Sequence, residues 1–124
     1  MKVLVVDDET DMQALFEQRF RKEIRHGEMD FVFASSGSQA LTYLASGSHE
    51  FVLILSDINM PGMSGLELLE KIKTQYLAPP PRVMMITAYG DEYNYNKAMS
   101  LGADDFLTKP LDFVSLRQKL KSEE

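Results

Sequence analysis

Phe51-Val52-Leu53-Ile54-Leu55-Ser56-Asp57-Ile58-Asn59-Met60-Pro61-Gly62 is the stretch on which the reading of this chain turns. Its first five residues are all apolar, so a strand built from them has no face suited to water. That is the pattern of a central strand in a parallel sheet covered on both sides. The run ends at Ser56 and Asp57, and the Asn59, Pro61 and Gly62 that follow are turn formers. An acid therefore stands at the carboxyl end of a buried strand.

Working outward, short apolar runs alternate with helical patterns, the signature of βα units around a parallel sheet. Residues 2–6 read as the first strand. Thr10-Asp11-Met12-Gln13 has the form of a capping box, and Met12, Leu15, Phe16 and Phe20 follow at helical spacing to about Ile24, with Gly27 closing the connection. Residues 31–34 are a second strand. Ser36 and Gln39 cap a helix carrying Ala40, Leu41 and Leu44, and Gly47 stops it. The third strand is 51–56, and Ser64-Gly65-Leu66-Glu67 opens the next helix through Leu68, Leu69 and Ile72. Pro79-Pro80-Pro81 cannot be helical and ends that connection. A fourth strand at 83–86, a polar helix at 91–101 capped by Gly102, a short fifth strand at 106–108 and a last helix capped by Asp112 complete the pattern. Five strands and five helices alternate strictly.

Bulk properties agree with one soluble domain. The chain has 124 residues, 44% of them apolar and 26% charged. It has no cysteine, which excludes disulfides and thiolate metal sites and fits a reducing cytoplasm. No apolar run approaches a membrane span, and the first residues meet Asp7 too soon for a signal peptide. A formal net charge of −6 argues against a nucleic-acid surface.

In doubly wound sheets the site lies beyond the carboxyl ends of the strands. The residues there are Asp7-Asp8-Glu9, Ser56-Asp57, Thr87-Ala88 and Lys109-Pro110. Taken singly, each has a plain alternative: Asp7-Asp8 a capped turn, Asp57 an acid in a turn, Thr87 and Lys109 idle strand ends. Taken together they are the parts phosphoryl transfer needs. Three converging carboxylates call for a cation, and oxygen-only ligands favour Mg²⁺ or another hard ion such as Mn²⁺. A carboxylate beside such an ion is a workable nucleophile toward phosphorus. The Lys109 ammonium and the Thr87 hydroxyl can then meet the remaining phosphoryl oxygens.

Val6-Asp7-Asp8-Glu9, the run Asp57 to Gly65, Thr87-Ala88 and the run Gly102 to Pro110 resemble, over nearly the whole chain, the receiver domain of bacterial two-component response regulators. The resemblance implies a flavodoxin-like (βα)5 doubly wound α/β fold with strand order 2-1-3-4-5. It implies that Asp57 accepts a phosphoryl group from a sensor histidine kinase or phosphotransfer protein. In family terms Asp8 binds the metal directly, Asp7 largely through water, Asp57 also contributes, and Asn59 offers its backbone carbonyl. Thr87 and Lys109 bind phosphoryl oxygens, and the bond before Pro110 is commonly cis. On phosphorylation Thr87 moves and an aromatic on strand five turns inward. Here it is Phe106, without the hydroxyl of the Tyr frequent at that place. Asn59, the small Ala88 and Tyr89 flank the route of the hydrolytic water, and the bulk of Tyr89 is expected to slow hydrolysis. Many receivers pair through the face of the fourth helix, fifth strand and fifth helix. Tyr93, Tyr95, Met99 and Leu101 on the fourth helix suit a homodimer of that kind. His26 and His49 fall in loops and receive no role.

Two rivals fit poorly. A haloacid-dehalogenase-like phosphatase would need D-x-D after strand one and a cap domain. A flavin module would have to cradle phosphate in the acidic residues 7–11. The receiver is expected to span residues 1–121, with 122–124 a tail or the start of a linker to an effector domain.

Overall fold

Each apolar run of the sequence becomes a strand of one parallel sheet. The computed structural model describes residues 1–46, 51, 53–75, 81–88 and 91–122. Its elements are β1 (Lys2–Val6), α1 (Asp11–Arg19), α2 (Arg21–Arg25), β2 (Asp30–Ala34), α3 (Gly37–Ala45), β3 (Leu53–Asp57), α4 (Gly65–Gln75), β4 (Arg82–Thr87), α5 (Glu92–Ser100), β5 (Asp105–Thr108) and α6 (Phe113–Ser122). The strands lie in the order β2-β1-β3-β4-β5, and every pairing is parallel. This is the flavodoxin-like α/β arrangement that the family resemblance implies.

Alternate strand residues face opposite sides, so the sheet has two cores. Leu4, Val6, Ile54, Val83 and Met85 pack with Ala40 of α3, Leu68, Leu69 and Ile72 of α4, and Ala98 of α5. Val3, Val5, Leu53, Leu55, Met84 and Ile86 pack on the other side with Met12, Phe16, Phe20, Leu116 and Leu120. Phe16 anchors that second core, its ring 5.4 Å from both Phe31 and Phe113 in edge-on geometry. Edge-to-face pairs of this kind add to the burial itself.

Two expectations about the first helix need correction. It is not continuous to Ile24 but breaks at Phe20, whose backbone sits at φ −109°, ψ 23°. Six helical segments therefore stand among the described residues. After Met12, Phe16 and Phe20, an unbroken helix would turn Ile24 inward. Instead Ile24 is exposed and Glu23 is buried. The reason is Arg117 of α6, whose Nε donates to Glu23 Oε2 at 2.7 Å while its guanidinium lies over the Phe20 ring at 5.0 Å. The second correction concerns Thr10, which makes no side-chain cap and is already in the right-handed helical region. The other expected caps form. Ser36 Oγ accepts from Gln39 N, Ser64 Oγ from Glu67 N, and Asp112 Oδ1 from Val114 N and Ser115 N.

Burial pushes the Glu23 carboxyl up, but its own backbone N–H and Arg117 outweigh this and hold it below 4.5. A carboxyl lowered on folding adds stability above its unfolded pKa and loses it as pH falls through the folded value. Glu23→Gln should therefore lower unfolding free energy by about 1–2 kcal/mol at pH 7. Urea titrations should show the gap from the parent closing below pH 4.5.

Candidate functional site

Parallel strands deliver their carboxyl ends to one edge of the sheet, and the groups singled out in the sequence meet there. Asp57 is the last residue of β3, Thr87 the last of β4, Asp7 follows β1 directly, and Lys109 follows β5 directly. Backbone bonds register these ends: Asp7 N donates to Ala34 O at 3.0 Å, Ile58 N to Ile86 O at 2.9 Å, and Lys109 N to Thr87 O at 2.9 Å. The peptide bond before Pro110 is cis.

Asp7, Asp57 and Thr87 are buried, and Asp8 is exposed. One carboxylate oxygen from each of Asp7, Asp8 and Asp57 lies within 4.8 Å of the others. Lys109 reaches into this cluster. Its Nζ is 2.9 Å from Asp7 Oδ2, 3.3 Å from Asp57 Oδ2 and 2.8 Å from Glu9 Oε1. Burial, and then the neighbouring Asp7 charge, push the Asp57 carboxyl up; Lys109 and the Asn59 backbone pull it partly back. Burial works against the charge of Lys109, but Glu9, then Asp7 and Asp57, outweigh it and raise Lys109 above its ordinary value, so its ammonium stays charged. The cluster is a set of oxygen donors with more negative charge than one ammonium neutralises, which suits a hard cation.

Asn59 is exposed, and its side-chain nitrogen donates to Thr87 Oγ1 at 3.2 Å. Ala88, which follows Thr87 in the chain, is exposed. Phe106, on β5 next to Met85, is half-buried against the first core and meets the Tyr95 ring edge-on at 5.4 Å. Tyr89 and His49 lie outside the described residues; His26 is exposed at the end of α2.

Sequence reasoning passed over two residues here. Glu9, quoted only as part of a motif, is a direct partner of Lys109. Gly65, read as part of a helix start, is where α4 touches the end of β3. A Cβ on it would lie 1.9 Å from the Asp57 backbone oxygen. Its φ is not positive, so close approach, not a left-handed turn, requires glycine. Only tertiary geometry reveals either point.

Residues 3–121 match the family described as response regulator receiver domain. Response regulator RppA of Synechocystis is 38% identical over 122 residues, covering 98% of this chain and 50% of that protein. Sporulation initiation phosphotransferase F of Bacillus subtilis is 33% identical over 120 residues, covering 97% of this chain and 90% of that protein. Among solved structures, response regulator TrrA of Thermotoga maritima, in complex with Mg²⁺-BeF, superposes with a TM-score of 0.79 at 28% identity, covering 99% and 98% of the two chains. The chain spans half or less of the length of several curated relatives, RppA included. With the ordered strand-end residues and the 2-1-3-4-5 sheet, these matches carry the assignment: the chain belongs to the response regulator receiver domain family, the phosphorelay signalling modules phosphorylated on an aspartate.

Proposed function

We propose that Asp57 is the phosphoacceptor of this receiver, and that a sensor histidine kinase or phosphotransfer protein supplies its phosphoryl group. The observation that carries this reading is the placing of a buried carboxylate on the end of β3, in one cluster with Asp7 and Asp8 and 3.3 Å from the Lys109 ammonium. Asp7, Asp8, Asp57 and the backbone carbonyl of Asn59 would hold Mg²⁺ or Mn²⁺. When bound, that ion offsets the charge of the carboxylates and of the phosphoryl oxygens. The protein's own groups do the rest. Asp57 Oδ attacks phosphorus while the bond to the leaving group breaks, Lys109 meets one phosphoryl oxygen, and the Thr87 hydroxyl donates to another. Asn59 and Ala88 border the same opening and tune hydrolysis. The module catalyses its own labelling and slow unlabelling and is not an enzyme acting on other substrates.

Incubation with acetyl phosphate and Mg²⁺ tests the reading. One phosphoryl group should appear on the peptide containing Asp57, with release of acetate and with no turnover of phosphatase substrates. Label on another residue, or steady hydrolysis of such substrates, would overturn it.

The receiver is taken to comprise residues 1–121, with 122–124 a tail or the beginning of a linker to an effector. A cytoplasmic setting fits a kinase donor. No described helix is long and apolar enough to cross a membrane. The output face is α5, β5 and α6, where exposed Tyr93, Tyr95 and Met99 suit a homodimer or an effector surface. Phe106 couples the site to that face by packing alone, its ring resting on Tyr95. Phe106→Ala should leave labelling of Asp57 within about twofold while abolishing phosphorylation-dependent output, read as dimerisation by light scattering or as effector activity. A variant that labels and signals like the parent would remove Phe106 from the switch.

A further inference from the structure

The site as proposed leaves Glu9 idle, yet its geometry is specific. Glu9 Oε1 is 2.8 Å from Lys109 Nζ, closer than Asp57 Oδ2 at 3.3 Å, and the pair joins residues 100 apart in the chain. The backbone of Glu9 is held from both sides. Its N–H donates to Asp7 Oδ1 at 2.8 Å, and its carbonyl accepts from Met12 N at 3.2 Å. Glu9 also stands on the wall between two clefts. One is lined by Asp7, Asp8 and Gln39, the other by Met12, Lys109 and Phe113.

An ammonium has three N–H donors. Those of Lys109 face three carboxylates, of Asp7, Glu9 and Asp57. To meet a phosphoryl oxygen, Lys109 must give one of them up. Asp7 and Asp57 have side chains only 3% and 6% exposed, whereas that of Glu9 is 60% exposed. Water can replace the ammonium at Glu9 and cannot do so as readily at the buried pair. Glu9 is the contact that opens.

We propose that Glu9 is a positioning residue that holds Lys109 in a resting posture and sets how readily the ammonium turns to the incoming phosphoryl group. The inference rests on the assignment of Asp57 as acceptor and of Lys109 as phosphoryl ligand. In the step concerned, the bond from Asp57 Oδ to phosphorus forms, the phosphorus–oxygen bond of acetyl phosphate breaks, and acetate leaves. Lys109 changes partner and transfers no proton. Glu9 competes with the phosphoryl group before the step and not after it. Its removal therefore speeds labelling and leaves hydrolysis unchanged.

The test measures Asp57 labelling by acetyl phosphate at saturating Mg²⁺ in the parent chain, Glu9→Gln and Glu9→Asp. The exposed side chain makes all three expected to fold, checked by circular dichroism. An exposed ion pair limits the effect to a two- to fivefold rise. Glu9→Gln should raise the maximal rate by that factor, with an unchanged half-life of phospho-Asp57. Glu9→Asp keeps the charge but loses the reach, and should behave like Gln. A simple field effect on the anionic donor would instead lower its apparent KM, and Asp would resemble the parent; either result overturns the proposal. So does an unchanged or slower maximal rate in Glu9→Gln. If the parent chain itself takes no label on Asp57, the assignment of the acceptor fails first, and separately.

Discussion

Asp57→Asn should take no phosphoryl label, and without divalent ions it should melt higher than the parent chain. The first effect is the loss of the attacking oxygen. Labelling with acetyl phosphate and Mg²⁺ should fall at least about 10³-fold, to background. The second follows from the direction in which the Asp57 carboxyl is displaced. Burial and the Asp7 charge raise it from its ordinary 3.8, so its ionised form is harder to hold in the folded chain than in the unfolded one. Ionised Asp57 thus subtracts stability at pH values above the raised folded pKa, and the loss fades as pH falls toward 3.8. Asn removes that loss while keeping the shape. A gain of roughly 3–5 °C in Tm at pH 7 is the size that about 1 kcal/mol produces in a domain of this length. It should shrink as the buffer is taken below pH 4, and also when Mg²⁺ is added to both proteins, because the ion stabilises the parent by binding its folded state. A variant that melted lower at neutral pH would mean that Lys109 already over-compensates the cluster.

Gly65→Ala should damage the fold and, through it, the site, because of what a Cβ at that position would meet. The added Cβ would stand 1.9 Å from the Asp57 carbonyl oxygen and 2.8 Å from Ile58 Cα, both backbone atoms that no rotamer change can move. The alternatives are to lift α4 off the sheet or to push the end of β3 sideways. Lifting α4 opens the packing of Leu68, Leu69 and Ile72, and shifting β3 breaks the bond from Gly65 N to Ile58 O at 2.7 Å. Overpacking in a rigid interior typically costs 1–3 kcal/mol, and a backbone clash belongs at or above the top of that range. Denaturant titration should show a loss of about 3 kcal/mol. Labelling measured on the remaining folded fraction should also fall tenfold or more, since a displacement of about 1 Å at the nucleophile is enough for that. Full stability in Gly65→Ala would mean that the β3–α4 junction yields far more easily than its contacts indicate.

The strands and their four functional ends were legible because they rest on short-range signals, whereas the sheet order followed only from the family resemblance. Apolar runs such as 51–55 can only be strands covered on both faces, and Asp57, Thr87 and Lys109 sit where such runs stop. Caps at Ser36, Ser64 and Asp112 were legible for the same reason, a side chain satisfying an amide three residues on. What was not legible depends on partners distant in sequence. The i+4 pattern of Met12, Phe16 and Phe20 points to Ile24, and nothing nearby announces that Arg117 will claim Glu23 and break the helix. Thr10 has the spacing of a cap, but Asp7 already holds the amide of Glu9 and the chain has turned before Thr10 is reached. The hydrogen bond from Asn59 to Thr87 Oγ1 crosses 28 residues, and that of Glu9 to Lys109 crosses 100. Such pairings exist only once the sheet has been assembled.

That assembly turns the chemistry into a counting device. The chain carries 19 acidic side chains, and in an unfolded molecule Asp57 has no ammonium or hydroxyl held beside it to set it apart from the others. Residues 7, 57, 87 and 109 converge only when β1, β3, β4 and β5 are all in place, so with Asp57 as the proposed acceptor a molecule with any one of these strands detached should take no label. The stoichiometry of a brief labelling pulse along a urea gradient then reports the fraction of intact sheets, and its midpoint should coincide with that seen by circular dichroism.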